Sequence, residues 1–212
     1  MFEIKTYTFL DKETLNRVKE TVLSLRSFWK PWSPHMQSHL ADGSKFMILG
    51  DTIYQLESNK ELNKDLRHLM LKEFDFLYSK LIETVESLTG VPTTFRDDLP
   101  VPGFHISELK IKPTQRPYHV DDRIGAYANG AKSIALLSVI ESSINGAGLE
   151  YVNKNSQECY FEYEIGKLHS WGPDLLHRIA GDTLVTRAGE TRMTLQGHCY
   201  FDTKLNKNIL FF

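Results

Sequence analysis

Cysteine is almost absent from this sequence: two residues, Cys159 and Cys199, in 212. Two thiols without a signal peptide make no disulfide framework, and a reducing compartment is the simpler setting. The N-terminal stretch MFEIKTYTFLDKE carries charge too early and too often for a secretory signal. No run of about 18 apolar residues occurs, so no membrane partner is expected and the expected address is cytoplasmic. A charge excess is missing as well. Against 25 Lys and Arg stand 27 Asp and Glu, and the pI is near 6.4, so no basic footprint argues for a nucleic-acid partner. There is no G-x-G-x-x-G, no P-loop, no βαβ rhythm and no internal repeat, which removes the nucleotide-binding and solenoid classes.

What is present divides by period. A 3.6-residue stripe, Leu15, Val18, Val22 and Leu25, follows Asp11, a fitting N-cap. A longer stripe runs from Leu62 to Leu88, starting after Ser58-Asn59-Lys60-Glu61, which has capping-box form, and stopping at Gly90 and Pro92. Between them FWKPWSPHMQSH (28–39) reads as a packed aromatic and proline connector or a pocket wall. After Pro92, short runs rich in β-branched and aromatic residues alternate with Gly, Asn and Asp, the pattern of about eight antiparallel strands in a sandwich or barrel. SSINGAG (142–148) reads as a turn in which Gly146 and Gly148 allow positive φ. The expectation is one domain over 1–212, with a largely helical part (1–92) and a strand-rich core (93–212).

Chemistry concentrates around RPYHVDDRIGAYANG (116–130). On a strand, residues i and i+2 share a face, so His119 and Asp121 project together. With 8 His and 27 acidic residues, about one such pair arises from composition alone. A metal would need a third ligand from another strand. His169, His177 and His198 remain downstream, and His177 sits in LLHRIA, a short apolar strand-like run. Two histidines and one carboxylate form the facial triad of non-haem Fe(II) oxygenases, which leaves adjacent positions open for a chelating co-substrate and dioxygen. A 2-oxo acid needs a cationic anchor for its distal carboxylate. Arg192, Thr194, Gln196 and His198 share one face of TRMTLQGH, which puts a guanidinium and a hydroxyl side by side.

The order His-x-Asp, a distant His, then Arg-x-Thr on the last long strand resembles the iron(II)- and 2-oxoglutarate-dependent dioxygenases. The likeness covers about residues 100 to 201, and PGFHISEL, LLHRIA and RMTLQGH look like an uncharacterised bacterial branch of that superfamily. The resemblance implies a mainly β fold with N-terminal α, a double-stranded β-helix (a jelly-roll or cupin-like barrel) with helices packed on its major sheet. It implies His119, Asp121 and His177 as iron ligands, and Arg192 with Thr194 on the 2-oxoglutarate carboxylate. Arg187, 10 residues past His177, stands at a spacing that other branches use for the same anchor. The implied activity is hydroxylation of a small molecule or amino acid with Fe(II), 2-oxoglutarate and dioxygen, releasing succinate and CO2. Halogenases of the family replace the carboxylate ligand by a small residue, and the presence of Asp121 argues against that chemistry. Two rival readings keep the fold: a ligand-binding jelly roll, and a cupin-type metalloenzyme that ignores 2-oxoglutarate. His105, His169 and His198 read as structural, and Asp122 and Arg123 as candidate substrate contacts.

Overall fold

The computed structural model describes residues 3–31, 45–49, 63–108, 118–121, 133–143, 148–179 and 191–212. The chain opens with strand β1 (Lys5–Thr8) and helix α1 (Lys12–Ser24). Asp11 begins α1 as its pattern predicts, its carboxylate accepting the Thr14 N–H at 2.8 Å. Val18 and Val22 are fully buried beneath it. A 3-10 turn (Arg26–Phe28) and strands β2 (Lys30–Pro31) and β3 (Lys45–Leu49) follow. The long stripe after residue 62 folds as two helices, α2 (Lys64–Glu73) and α3 (Asp75–Thr89). The capping side chain is Asn63, which accepts the Leu66 N–H at 3.0 Å, while Ser58–Glu61 and most of 28–39 lie outside the described residues. Phe74 leaves helical geometry at φ −112° and sits wholly buried, its ring 4.7 Å from that of Phe104. Gly90 ends α3 with φ +69°, a left-handed position that disfavours any side chain.

The remaining strands are β4 (Thr93–Phe95), β5 (Gly103–Glu108), β6 (Ser133–Ser142), β7 (Leu149–Val152), β8 (Glu158–Phe161), β9 (Lys167–Trp171), β10 (His177–Ile179), β11 (Thr191–Asp202) and β12 (Lys207–Phe211). Nine strands form a major sheet in the order β1-β9-β6-β11-β5-β3-β2, with β12 beside β11 and β4 parallel to β12. A minor sheet runs β10-β7-β8. The fold is therefore mostly β in two sheets with helices on one side, and among the described residues the strands do not close into a barrel. Strands β1, β2 and β3 come from the part of the chain that reads as largely helical and join the major sheet. Their two to five residues carry no alternation for a period argument to detect.

The major sheet separates two cores. On one face Leu136, Ile140, Met193, Leu195 and Cys199 pack with Val18, Val22, Met70, Phe74 and Leu77 of the helices. Burial there pushes the Cys199 thiol up to about 12, so it behaves as a small apolar group. On the other face Ala135, Leu137 and Val139 meet Leu149, Tyr163, Trp171 and Leu175, the core shared with the minor sheet. The site lies on this second face.

Gly148 corrects the positive φ expected there, while 144–147 of that turn lie outside the described residues. It does not carry the positive φ found at Gly90 and Gly166. A Cβ there would fall 2.1 Å from the Phe161 carbonyl oxygen and 2.7 Å from the Tyr160 ring, so glycine is needed for the close approach of β7 to β8. Gly148→Ala is expected to cost about 1–3 kcal/mol by overpacking. Urea denaturation checks this, and an unchanged midpoint would mean that the two strands part freely.

Candidate metal centre

Residues 118–121 reach the minor sheet through one backbone bridge. The His119 N–H donates to the His177 carbonyl at 2.9 Å, and the His177 N–H returns a bond to the His119 carbonyl at 2.8 Å. Outside this bridge the Arg178 guanidinium lies 4.2 Å over the Tyr118 ring and pairs with Glu150 on β7. This pins the register on the outer face. Because side chains alternate, His119, Asp121 and His177 then point to the inner face together.

There they converge. One donor atom from each of the three lies within 4.8 Å of the others, and His177 Nε2 stands 3.6 Å from Asp121 Oδ2. The imidazole rings of His119 and His177 have centroids 4.5 Å apart. His177 is buried at 4% exposure, Asp121 is half-buried and His119 is exposed, so the trio runs from the interior to the surface. His177 Nδ1 is 2.8 Å from the Leu175 carbonyl oxygen. That carbonyl only accepts, so the proton sits on Nδ1 and the Nε2 lone pair faces Asp121 and His119. Trp171 on β9 donates its indole N–H to Asp121 Oδ2 at 3.2 Å. Two imidazoles and a carboxylate, with one tautomer already set, are a donor set that fits a divalent iron with open coordination positions.

A second polar group lies on the same face of the major sheet. Arg192 is 6% exposed, and among the described residues no carboxylate pairs with it and its Nε has no hydrogen-bond partner. Its guanidinium sits 5.2 Å from the centroid of the Tyr163 ring. Burial holds this guanidinium below the usual arginine range, with Tyr163 partly opposing, and burial pushes the Tyr163 phenol well above its own. Thr194, also buried, accepts the Gln196 amide N–H at 3.0 Å. A buried cation with a vacant donor beside a hydroxyl is a cradle for an anion. Arg187, Asp122, Arg123 and Gly146 lie outside the described residues.

The other histidines separate. His169 is fully buried behind Tyr163, with Thr6 Oγ1 3.0 Å from its Nδ1 and the Glu164 N–H donating to its Nε2 at 3.2 Å. Burial lowers its pKa, which favours the neutral ring. His105 stacks on Phe212 at 5.3 Å. His198 shares the inner face. Its Nδ1 is buried without a partner, and burial lowers its pKa against the pull of Asp121.

No protein-family model and no curated protein sequence matches the chain. Solved structures do. An oxidoreductase of the 2OG-Fe(II) oxygenase family from Burkholderia pseudomallei superposes with a TM-score of 0.58 at 12% identity, covering 96% of this chain and 86% of that one. The fold is that of the 2OG-Fe(II) oxygenases. A prolyl hydroxylase from Trichoplax adhaerens, in complex with a hypoxia inducible factor peptide fragment, gives 0.53 at 14% identity over 96% of this chain and 86% of that one. A Pseudomonas putida prolyl-4-hydroxylase gives 0.50 at 12% identity over 93% and 91%. Within this jelly-roll oxygenase fold the helices pack on the major sheet, as the resemblance implies. No helix among the described residues is long and apolar enough to cross a membrane.

Three groups at the site escape a sequence reading. Trp171 stands in KLHSW and Tyr163 between β8 and β9, neither in a motif. The Leu175 carbonyl is a backbone atom with no residue signature. Their only sequence signal is an aromatic on a strand, which reads as core packing.

Proposed function

We propose that this chain is an Fe(II)- and 2-oxoglutarate-dependent oxygenase that hydroxylates a small molecule or an amino acid, with release of succinate and CO2. The observation that carries the reading is the convergence of His119, Asp121 and His177 donor atoms within 4.8 Å. Iron held by these three residues would supply dioxygen activation coupled to oxidative decarboxylation of 2-oxoglutarate. The chain's own part is positioning and electrostatics. The Leu175 carbonyl keeps the His177 proton on Nδ1, so Nε2 is available as a ligand without a tautomer change. Three protein ligands leave adjacent positions for the co-substrate and dioxygen.

Arg192 is the anchor for the distal carboxylate of 2-oxoglutarate. Its planar guanidinium grips a carboxylate through two parallel bonds, and burial makes that pairing stronger than at the surface. Gln196 donates to Thr194 Oγ1, which leaves the threonine's own O–H free to donate to the same carboxylate.

Anaerobic addition of Fe(II) and 2-oxoglutarate tests the reading. A weak visible charge-transfer band, followed in air by succinate release, is the expected result. Metal binding without the band points to a cupin-type metalloenzyme, and neither binding nor band points to a jelly roll that only holds a ligand. The substrate panel should include amino acids, small metabolites and prolyl peptides, since two of the structural neighbours are prolyl hydroxylases.

A further inference from the structure

We propose that Trp171 is the positioning residue of the metal centre, its indole N–H locking the rotation of the Asp121 carboxylate that would serve as a ligand. The inference rests on the reading of His119, Asp121 and His177 as a metal site and adds a residue that no motif assigns.

Three observations converge on it. The indole Nε1 donates to Asp121 Oδ2 at 3.2 Å, and an indole N–H can only donate, so this bond requires the carboxylate to act as an acceptor. That bond fixes the rotation of the carboxylate, and the same Oδ2 stands 3.6 Å from His177 Nε2, toward the candidate site. The same indole meets the His177 ring edge-on, with centroids 5.4 Å apart and planes at 66°. One side chain thus constrains two of the three ligands.

The indole is also well placed to be rigid. Trp171 is 6% exposed and ends β9, where it pairs with Ala135 of β6. The methyl side chain opposite leaves room for the indole to lie across the sheet. Two residues earlier on the same face, His169 is tied to Thr6 and Glu164. Asp121, in contrast, sits two residues from His119, whose bridge to His177 ties the segment to the minor sheet among the described residues. The indole fastens the same segment from the opposite sheet.

The test titrates the full, metal-free chain with Co(II) alone and follows its visible absorption. Trp171→Phe keeps an aromatic ring and removes the N–H. It is expected to bind Co(II) about 10-fold more weakly, the lower end of the loss usual for an outer partner of a ligand. A second readout needs no folded variant at residue 171. In the 15N-tryptophan-labelled chain, the Trp171 indole resonance is expected to shift on Zn(II) addition and to move upfield in Asp121→Ala. A folded Trp171→Phe protein with unchanged Co(II) affinity, or an indole resonance indifferent to Asp121→Ala, overturns the proposal and leaves the metal site standing. A parent chain that binds no Co(II) overturns both.

Discussion

Iron-dependent succinate release is expected to fall to background in His177→Ala and in Asp121→Ala, and the visible band with 2-oxoglutarate to vanish in both. Two donors remain in either variant, too few to fix a metal in a facial arrangement with defined open positions. Among the described residues only His119, Asp121 and His177 gather as a possible ligand group. Its Nε2 is the inner end of the trio at 4% exposure, and the ring beside it, His119, is already used. The backbone bridge between residues 119 and 177 does not involve the imidazole, so alanine leaves the pairing intact. A coupled succinate assay and Co(II) titration together read the outcome. Turnover that survives in His177→Ala would remove this residue from the ligand set.

The second large effect concerns Arg192, and it has opposite signs with and without ligand. Without 2-oxoglutarate the buried guanidinium has no carboxylate partner among the described residues, and burial already lowers its pKa. An uncompensated buried charge is costly, and apolar replacement of similar volume is commonly neutral or stabilising. Arg192→Met is therefore expected to melt at the same temperature as the parent chain or higher when no ligand is present. With 2-oxoglutarate the order reverses. Losing one partner of a buried, hydrogen-bonded charge pair costs about 2–5 kcal/mol, or roughly 30-fold to several thousand-fold in affinity. The parent chain gains about 2.7 kcal/mol of stability at ligand 100-fold above its dissociation constant. Over that range of losses the variant gains from about 0.9 kcal/mol down to almost none. Thermal denaturation with and without 2-oxoglutarate checks both signs, and an equal ligand-induced shift in the two proteins would transfer the anchor to Arg187.

The parts of the site that could be read from sequence are those governed by distance along one strand. His119 with Asp121, and Arg192 with Thr194, follow from the two-residue repeat of a β-strand. On β11 the repeat holds along a continuous strand, and at His119 the bridge to His177 places the pair beside the third donor. Two helix ends were equally readable, the Asp11 start of α1 and the Gly90 stop of α3, whereas the Asn63 cap of α2 was not. Trp171 and Tyr163 were not, because which strands lie opposite is decided by long-range register, and KLHSW has the same alternation wherever it pairs. The break at Phe74 was hidden for a related reason. Its side chain continues the apolar stripe of α2 into α3, so the period runs straight through a point where the backbone turns to bury the ring. Gly148 read as a glycine allowing positive φ because composition around it is that of a turn, whereas the missing atom matters for what stands across from it.

Strand β11 alternates its residues between two faces: Met193, Leu195 and Cys199 enter the helix core while Arg192, Thr194, Gln196 and His198 take the opposite face. Inheritance of such a strand is modular. Substitutions at Gln196 and His198 can change the inner face while the proposed anchor, Arg192 with Thr194, stays fixed, and those at 193, 195 and 199 drift only within what the helices tolerate. A lineage built on this layout can change diet without rebuilding its frame.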